Sequence, residues 1–314
     1  MVCKVALTGA TGFVGGAVVP TLLKAGFEVS VLVRKPKPEQ FPKQVSVVAG
    51  DLEDPLALDQ FVKGADCVVH LAGAISALSE AQFFKSNFCG VQLLFRAAEA
   101  AQIKRFVHIS SLVARRPELS AYAASKRAGE DFLQSTHSKM EIAILRPSAI
   151  YGPGDKATLP LLAALQKHIA FIPGTADARF SLLYVRDFAE VISDFAANNA
   201  TGFFEIDDLS GGYSWADLAH ANVKISGLPK RIIYIPQAAV NIGAIFAEAW
   251  SIVSQKAGMI SRGKLRELYY ANWVVQGQNW PRPNPVGLAE GLGETLEWYR
   301  SHGWLKPIVK TQEK

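Results

Sequence analysis

The sequence contains little cysteine. Cys3, Cys67 and Cys89 are its three cysteines, and no two of them have the close spacing of a metal-binding or redox pair. This set argues against a disulfide framework and against a structural zinc site, so we predict no metal. Each of the three lies among apolar residues, and we expect them in the core.

Long runs of one charge and long uninterrupted apolar runs are also missing. The chain has 33 Lys and Arg against 28 Asp and Glu, a formal charge of +5, and the basic residues are scattered. Nucleic-acid binding is therefore not expected. A modest basic excess could attract a phosphorylated cofactor or an acidic substrate, but an ordinary solvated surface explains it equally simply.

No membrane anchor or leader is predicted. The most apolar stretch, residues 235–253, is interrupted by Gln237, Asn241 and Glu248, which indicates a buried helix rather than a membrane span. The chain enters a strand pattern at once, without a basic region followed by an apolar stretch and a cleavage site. We therefore expect a cytoplasmic protein.

The first half of the 314 residues alternates short apolar runs with helical patterns, as parallel strands joined by crossover helices do. We predict an α/β fold with a Rossmann-type doubly wound parallel sheet. The predicted strands are 4–8, 28–33, 45–49, 67–71, 105–110 and 142–146, and the predicted helices are 15–25, 55–61, 81–101 and 121–135.

The alternation fades after the segment Tyr151-Gly152-Pro153-Gly154, where aromatic residues and prolines become more frequent. We predict a cofactor-binding domain over residues 1–152 and a smaller, mainly helical substrate lobe over 153–314. Segments around 180–210 are expected to return to the first domain, because 202–207 has a strand pattern. No internal repeat or low-complexity segment is present.

A glycine-rich turn follows the first predicted strand. The segment Thr8-Gly9-Ala10-Thr11-Gly12-Phe13-Val14-Gly15 runs from that strand directly into a helix. Gly9 permits a tight turn, Gly12 lets the backbone approach a pyrophosphate, and Gly15 allows close packing of the helix, whose free amides hold the anion. A glycine turn without a ligand is the alternative, but the strand–turn–helix context favours a dinucleotide site.

Tyr122 and Lys126 are four residues apart in a predicted helix, which puts them on one face. A free phenol has a pKa near ~10, and a neighbouring ammonium favours the phenolate, so that tyrosine can exchange protons near neutral pH. Such a pair is common by chance. The glycine loop and Ser110-Ser111 upstream of it strengthen the prediction.

The end of the second predicted strand bears on the type of cofactor. An NAD enzyme usually presents an acidic side chain there to the ribose hydroxyls, whereas this chain has Arg34 followed by Lys35. A guanidinium offers a planar fork to phosphate oxygens, so we predict NADP as the cofactor, with NAD as the alternative. The competing interpretation is that Arg34 and Lys35 are simply exposed to solvent, because the basic stretch continues to Lys37.

Together these motifs resemble the short-chain dehydrogenase/reductase superfamily, whose loop has the pattern TGxxGxxG. The segment Leu-Arg-Pro-Ser-Ala-Ile-Tyr-Gly-Pro-Gly at 145–154 resembles the RPxxxYGPG element of the extended, NAD-dependent epimerase/dehydratase-like branch. Residues 184–187 and 288–298 resemble two further elements of that branch. The resemblance spans nearly the whole chain, and its motifs are specific for the branch but not for a substrate.

The resemblance implies roles for the catalytic group. In a reduction, Ser111 would hydrogen-bond the substrate carbonyl, with Ser110 as the alternate at this position. Tyr122 would protonate the developing alkoxide, while Lys126 would tune Tyr122 and hold the nicotinamide ribose. The cofactor would supply the hydride.

The resemblance also extends the cofactor site. Asp51 matches a family aspartate that contacts adenine, and Asn87 matches the asparagine of an Asn-x-x-Gly element, whereas His70 is expected only to pack. The predicted cofactor-binding residues are Thr8, Gly9, Thr11, Gly12, Phe13, Val14, Gly15, Arg34, Lys35, Asp51, Leu52, Leu71, Ala72, Gly73, Asn87, Tyr122, Lys126, Pro147, Ser148 and Ile150.

We therefore predict an NAD(P)-dependent oxidoreductase that transfers a hydride between the nicotinamide and a carbonyl or alcohol substrate. Two alternatives stay open: a nucleotide-sugar epimerase or dehydratase with tightly bound cofactor, and a non-catalytic cofactor-binding sensor or assembly subunit. Retention of Ser111, Tyr122 and Lys126 disfavours the second alternative. The first is weakened because the family's Val-Tyr-Gly after the serine is replaced by Leu-Val-Ala-Arg-Arg, and Tyr122 follows Ser111 after a short interval.

The substrate is expected to be a small molecule. The apolar segments 159–165 and 238–253 could line a pocket for a hydrophobic compound, and ordinary helix packing explains them equally well. Arg115 and Arg116 could meet an acidic or phosphorylated substrate, or they could lie in an exposed loop. Relatives often dimerise through paired helices, so a homodimer is expected.

Overall fold

The computed structural model describes residues 3–227, 231–240 and 262–306. Its centre is a seven-stranded sheet in which all neighbouring strands are parallel. Apolar side chains dominate the central strands and are buried, as expected for parallel strands covered on both faces. The strands of this sheet are β1 (Lys4–Thr8), β2 (Glu28–Val33), β3 (Ser46–Ala49), β4 (Cys67–His70), β5 (Arg105–Ile109), β6 (Glu141–Pro147) and β11 (Gly202–Ile206).

Helices cover both faces of the sheet. One face packs against α1 and α7, and the other packs against α2, α4 and α5, so that two separate apolar cores form. The helices of this domain are α1 (Phe13–Lys24), α2 (Pro55–Val62), α3 (Glu80–Phe84), α4 (Gly90–Ala100), α5 (Ala121–Ser135) and α7 (Val185–Ala197). This arrangement is the predicted doubly wound α/β fold.

The strand order is β11-β6-β5-β4-β1-β2-β3. The chain builds outward from β1 to β3 on one side and then crosses back to β4 on the other, so β1 and β4 flank the point where the direction of winding changes. In sheets of this type, ligands bind in the crevice outside the carboxyl ends of the strands at that point. The glycine loop follows β1 and therefore lies at this crevice.

The strand predicted at 202–207 is β11, and it pairs with β6 at the edge of the sheet in the register Phe204 to Leu145. Part of the second half of the chain thus joins the first domain. The division into residues 1–152 and 153–314 stays a prediction.

The other elements build a smaller lobe around a third apolar core, to which Trp215 and Leu296 contribute. Its elements are β7 (Ala149–Tyr151), α6 (Leu159–Leu165), β8 (Ile169–Pro173), β9 (Arg179–Phe180), β10 (Leu182–Tyr184), β12 (Tyr213–Ser214), α8 (Trp215–Ser226), β13 (Arg231–Ile235), α9 (Arg262–Tyr269), β14 (Asn272–Trp273) and α10 (Leu288–Ser301). The predicted apolar segment 159–165 is α6, and its Leu162 and Leu165 are buried in this core. Helix packing thus accounts for those two side chains.

The single helix predicted over 81–101 is interrupted. It consists of α3, a π-helical turn at Lys85–Cys89 and α4. A π-helical turn accommodates one extra residue, and here it directs the buried Asn87 side chain toward the crevice. Cys89, expected in the core, lies exposed on the outside of the same turn.

Within the described residues, no helix has the length and apolar character needed to cross a membrane. The same residues contain no cluster of three or more His, Cys, Asp or Glu side chains arranged to hold a metal ion. The predicted apolar helix over 235–253, and with it the pocket segment 238–253, falls largely outside the described residues.

Candidate active site

The glycine loop is shaped by contacts with the neighbouring strand end. Gly9 has a φ of +77°, and a Cβ there would lie 2.7 Å from the Ala72 backbone nitrogen. A Cβ on Gly15 would lie 2.3 Å from the Gly9 carbonyl oxygen, whereas one on Gly12 would meet that oxygen at 3.3 Å and no other atom within 4 Å. Gly9 and Gly15 are therefore required by the protein's own packing, and Gly12 leaves open space at the start of α1.

The start of α1 is suited to an anion. Gly12 is the N-cap of α1, and no side chain caps the helix amides there. Uncapped amides at a helix N-terminus and the open space over Gly12 match what a dinucleotide pyrophosphate requires. Phe13 and Val14 are the first residues of this helix.

Gly15→Ala is expected to reduce both stability and cofactor affinity. The added methyl would collide with backbone atoms of Gly9 and Ala10, so the loop must move. Overpacking of this kind costs ~1–3 kcal/mol, which thermal unfolding would detect as a lowered Tm. Gly16→Ala is the matched control, because a Cβ at Gly16 would meet nothing within 4 Å. An unchanged Tm and cofactor Kd in Gly15→Ala would contradict the packing argument.

Thr8 and the strand end of β4 are joined beneath the loop. The Thr8 hydroxyl lies 2.8 Å from His70 Nδ1 and accepts a hydrogen bond from the Ala72 amide at 3.1 Å. Burial lowers the pKa of His70 to about 3, and its ring stacks on His108 with centroids 5.5 Å apart. His70 is thus a neutral packing residue. Thr8 fixes Leu71 and Ala72, which form the floor of the crevice.

Ser111 and Tyr122 meet at the carboxyl end of β5. Ser111 follows this strand and precedes a short 3₁₀ turn at Leu112–Arg115, while Tyr122 lies in the first turn of α5. The Ser111 hydroxyl lowers the pKa of the Tyr122 phenol, which places the two side chains close to each other. The alternate serine, Ser110, is buried and donates to Glu130 instead. The geometry therefore favours Ser111 over Ser110 as the partner of Tyr122.

The sequence predicts that Lys126 favours the Tyr122 phenolate near neutral pH, but the structure shows the opposite direction, and the phenol keeps its proton at neutral pH. The pKa of its phenol is raised to about 12, mainly by burial and in addition by the carboxylate of Glu267, while the nearby Ser111 hydroxyl acts in the lowering direction. The Tyr122 ring packs against Phe83 of α3, with ring centroids 5.9 Å apart. A half-buried phenol that keeps its proton is suited to donating that proton to a substrate.

Lys126 lies one helical turn beyond Tyr122 and is 5% exposed. Its Nζ donates to the Ile109 carbonyl oxygen at 3.0 Å. Burial lowers the pKa of Lys126 to about 8, and the carboxylate of Glu130 counteracts this. Glu130 in turn forms a bidentate ion pair with Arg146.

Asn87 connects the loop after β4 with the catalytic helix. Its Nδ2 donates to the Ala74 carbonyl oxygen and to Ser125 Oγ, both at 3.0 Å, and its Oδ1 accepts from the Ala74 amide at 2.8 Å. A Cβ on Gly73 would lie 2.8 Å from Asn87 Oδ1 and 3.0 Å from Lys126 Nζ. The crevice floor at Gly73 is therefore packed tightly against both side chains. A direct contact between Asn87 and the cofactor stays a prediction.

The opposite end of the crevice is basic and open. Arg34 and Lys35 follow β2 and are both exposed. The Gly50 amide, after β3, donates to the Val33 carbonyl oxygen at 3.1 Å, which brings the two strand ends together. Asp51 comes next and is also exposed, and Leu52 packs beneath Gly90. Arg34, Lys35 and Asp51 are thus available where the adenosine half of a dinucleotide would lie.

Ser148 lies between β6 and β7 with its neighbours Pro147 and Ile150 in those strands. It is 6% exposed, its amide donates to the Ile206 carbonyl oxygen at 2.9 Å, and its buried Oγ has no hydrogen-bond partner among the described residues. A buried hydroxyl without a partner is costly, so it suits a ligand that can bond to it. The residues at both ends of the crevice fit an NAD(P) cofactor.

Arg115 and Arg116 have structural partners. Arg115 pairs with Glu205 at 3.4 Å and donates to the carbonyl oxygens of Asn272 at 3.1 Å and of Val274 at 3.0 Å, which ties the serine segment to β14 and the residue after it. Arg116 pairs with Glu118 at 2.7 Å and stacks on Tyr270. These contacts account for both guanidinium groups without an acidic substrate.

Two residues that sequence reasoning missed lie beside Tyr122. Glu267 and Lys264 belong to α9, far from Tyr122 in sequence, and the Lys264 ammonium is 6.0 Å from the centroid of the Tyr122 ring. No local motif surrounds them. A long-range contact of this kind could be found only from the folded chain.

The chain is similar to known proteins over nearly its whole length. The NAD dependent epimerase/dehydratase family matches residues 5–204. A ceramide reductase from Caulobacter vibrioides is 37% identical over 313 residues, which cover 97% of each chain. A dTDP-glucose 4,6-dehydratase from Streptomyces niveus is 26% identical over 348 aligned positions, covering 99% of this chain and 97% of that one.

Among solved structures, a UDP-glucose 4-epimerase from Thermotoga maritima has a TM-score of 0.71 and 20% identity, covering 95% of this chain and 99% of the other. At this identity the likeness concerns the fold, which is the α/β fold with a C-terminal lobe described above. The family match covers more than half of the chain and includes the glycine loop and the catalytic group. The chain is therefore an NAD(P)-dependent oxidoreductase that belongs to the NAD-dependent epimerase/dehydratase family.

Proposed function

We propose that the protein is an NADP(H)-dependent reductase that converts a ketone in a hydrophobic substrate to an alcohol. The observation that carries this proposal is the state of Tyr122, a phenol that keeps its proton at neutral pH, lies close to Ser111 and is one helical turn from Lys126. A reduction consumes one proton at the substrate oxygen, and Tyr122 is placed to supply it.

Each of the three catalytic residues has a separate role in this reduction. Ser111 donates a hydrogen bond to the ketone oxygen and holds it near the Tyr122 hydroxyl. Tyr122 transfers its proton to that oxygen, so that the ketone gains one hydride and one proton and becomes an alcohol. Lys126 holds the nicotinamide ribose, and its positive charge stabilises Tyr122 after the proton has left. NADPH, when bound, supplies the hydride.

The proposed cofactor residues are those of the crevice. The amides after Gly12 hold the pyrophosphate, Asp51 meets the adenine, and Ser148 offers its hydroxyl to the nicotinamide end. The preference for NADP over NAD rests on Arg34, which stands exposed at the end of β2 where an NAD site would carry a carboxylate.

Exposed apolar side chains in the loop after β4 support a hydrophobic substrate. Ile75 and Leu78, in the loop that Asn87 holds against the catalytic helix, are 67% and 40% exposed, and Phe83 contacts the Tyr122 ring. Exposed apolar side chains at the edge of a site mark a surface for an apolar ligand. Together with the likeness to a ceramide reductase, these exposed apolar side chains favour a ketone within a long-chain lipid of the ceramide class.

The competing proposal is an epimerase or dehydratase acting on a sugar nucleotide, and the likeness to a dTDP-glucose 4,6-dehydratase favours it. Such an enzyme returns the hydride within one catalytic cycle, whereas a simple reductase consumes its cofactor. We expect one NADPH to be oxidised for each long-chain ketone reduced, measured by cofactor absorbance and by product mass. Turnover of a sugar nucleotide with no net change in cofactor would instead establish the competing activity. The homodimer and the cytoplasmic location stay predictions from the sequence.

A further inference from the structure

Helix α9, from the C-terminal part of the chain, packs against the start of the catalytic helix α5. The approach is close, because a Cβ on Gly263 would lie 2.9 Å from the Ser120 Cβ. Ser120 is the N-cap of α5, and its Oγ accepts a hydrogen bond from the Ala123 amide at 2.9 Å. The contact thus falls on the turn that carries Tyr122.

A buried carboxylate lies at this contact. Glu267 is 3% exposed; its Oε1 accepts a hydrogen bond from Ser120 Oγ, and its Oε2 pairs with Lys264 Nζ at 3.0 Å. Burying a charge is costly unless donors surround it. A neutral glutamine could also accept the hydrogen bond from Ser120, so fixing that hydroxyl alone does not require a charge.

The groups that face Tyr122 come from three other elements. The end of β5 contributes Ser111, α9 contributes Glu267 and Lys264, and α3 contributes the uncharged Phe83 ring. Lys126, one turn further along the same helix as Tyr122, donates to the Ile109 carbonyl oxygen. Glu267 is the carboxylate that acts on the Tyr122 phenol, and it raises the pKa of that phenol. The sign is set by electrostatics, because a nearby negative charge disfavours the phenolate.

We propose that Glu267 is a positioning residue for the reduction: through Ser120 it fixes the first turn of the catalytic helix, and it places a negative charge beside Tyr122. This inference rests on the proposed function, in which Tyr122 is the proton donor. Its consequence is that Tyr122 remains protonated over a wider range of pH. A reductase benefits from this because the deprotonated form cannot donate.

The test is Glu267→Gln, which keeps the shape and the acceptor for Ser120 and removes the charge. Carbon-13 NMR of ring-labelled tyrosine in the cofactor-free protein reports the Tyr122 titration, with Tyr122→Phe used to assign its signal. We expect deprotonation of Tyr122 to begin at a lower pH in Glu267→Gln than in the unmodified protein. The alkaline limb of kcat for ketone reduction should move in the same direction.

Glu118→Gln is the matched control, because Glu118 is an exposed glutamate paired with Arg116. Glu118→Gln should leave both the Tyr122 titration and the alkaline limb of kcat unchanged. If Glu267→Gln leaves the Tyr122 titration where it is in the unmodified protein, or moves it to higher pH, the inference is overturned.

A second variant tests the positioning without removing the charge. Ser120→Ala deletes the hydrogen bond to Glu267, and we expect kcat to fall several-fold with little change in KM or in the alkaline limb. An unchanged kcat would contradict the positioning role, and this test still applies if Glu267→Gln fails to fold. The NMR titration needs no catalysis. A fully active Tyr122→Phe would therefore overturn the proposed function while leaving the effect of Glu267 on Tyr122 measurable.

Discussion

Tyr122→Phe is expected to lower kcat for ketone reduction at least ~100-fold while leaving the Kd for NADPH nearly unchanged. The substitution removes the hydroxyl that lies close to Ser111 and keeps the ring that packs against Phe83. The site therefore retains its shape and loses its proton donor. Steady-state kinetics with a long-chain ketone and a direct titration with NADPH measure the two quantities separately.

The control for this prediction is Tyr299→Phe. The Tyr299 hydroxyl donates to the Asp155 carbonyl oxygen at 2.5 Å in the core of the C-terminal lobe. Its loss should lower Tm and leave kcat close to that of the unmodified enzyme. A Tyr122→Phe variant with full turnover would remove Tyr122 from the mechanism, and a variant that no longer binds NADPH would show that the phenol supports the cofactor instead.

Arg34→Asp is expected to weaken NADPH binding by about 10- to 150-fold, since a charge-assisted hydrogen bond to a phosphate contributes roughly 1.5–3 kcal/mol. The new carboxylate would repel the 2′-phosphate of NADPH. It could also accept hydrogen bonds from the free ribose hydroxyls of NADH, so NADH binding should stay similar or improve. The measurement is a Kd for each cofactor with each protein, at low and at moderate salt, because screening weakens the phosphate contact.

Lys37→Asp is the matched control for Arg34→Asp, because it reverses the charge of a neighbouring basic residue. Lys37 is exposed in the same basic stretch, three residues further along the chain. If the stretch acts only through its general positive charge, the two variants should weaken NADPH binding to the same extent. If Arg34 contacts the 2′-phosphate, Arg34→Asp should weaken NADPH binding more than Lys37→Asp does. It should also change the ratio of the Kd values for NADPH and NADH. An unmodified enzyme that prefers NADH would refute the assignment.

The sequence by itself determined the central sheet and the type of site. β1 and β2 have the predicted bounds, and β4 and β5 are each one residue shorter than predicted. These strands are recognisable because parallel strands buried on both faces are short continuous apolar runs. The glycine loop and the Tyr122 and Lys126 pair were also predictable. Both depend on residues close in sequence, and their spacing alone puts them on a turn or on one face of a helix.

Only the tertiary structure decided which groups surround Tyr122. Ser110 and Ser111 are adjacent in sequence, and they differ because the fold turns one toward Glu130 and the other toward Tyr122. The helix predicted over 81–101 is broken at the π-helical turn, where Asn87 bonds to Ala74 and Ser125. Glu267 is 147 residues from its partner Ser120. Contacts of this range follow from the packing of whole elements, which local spacing does not encode.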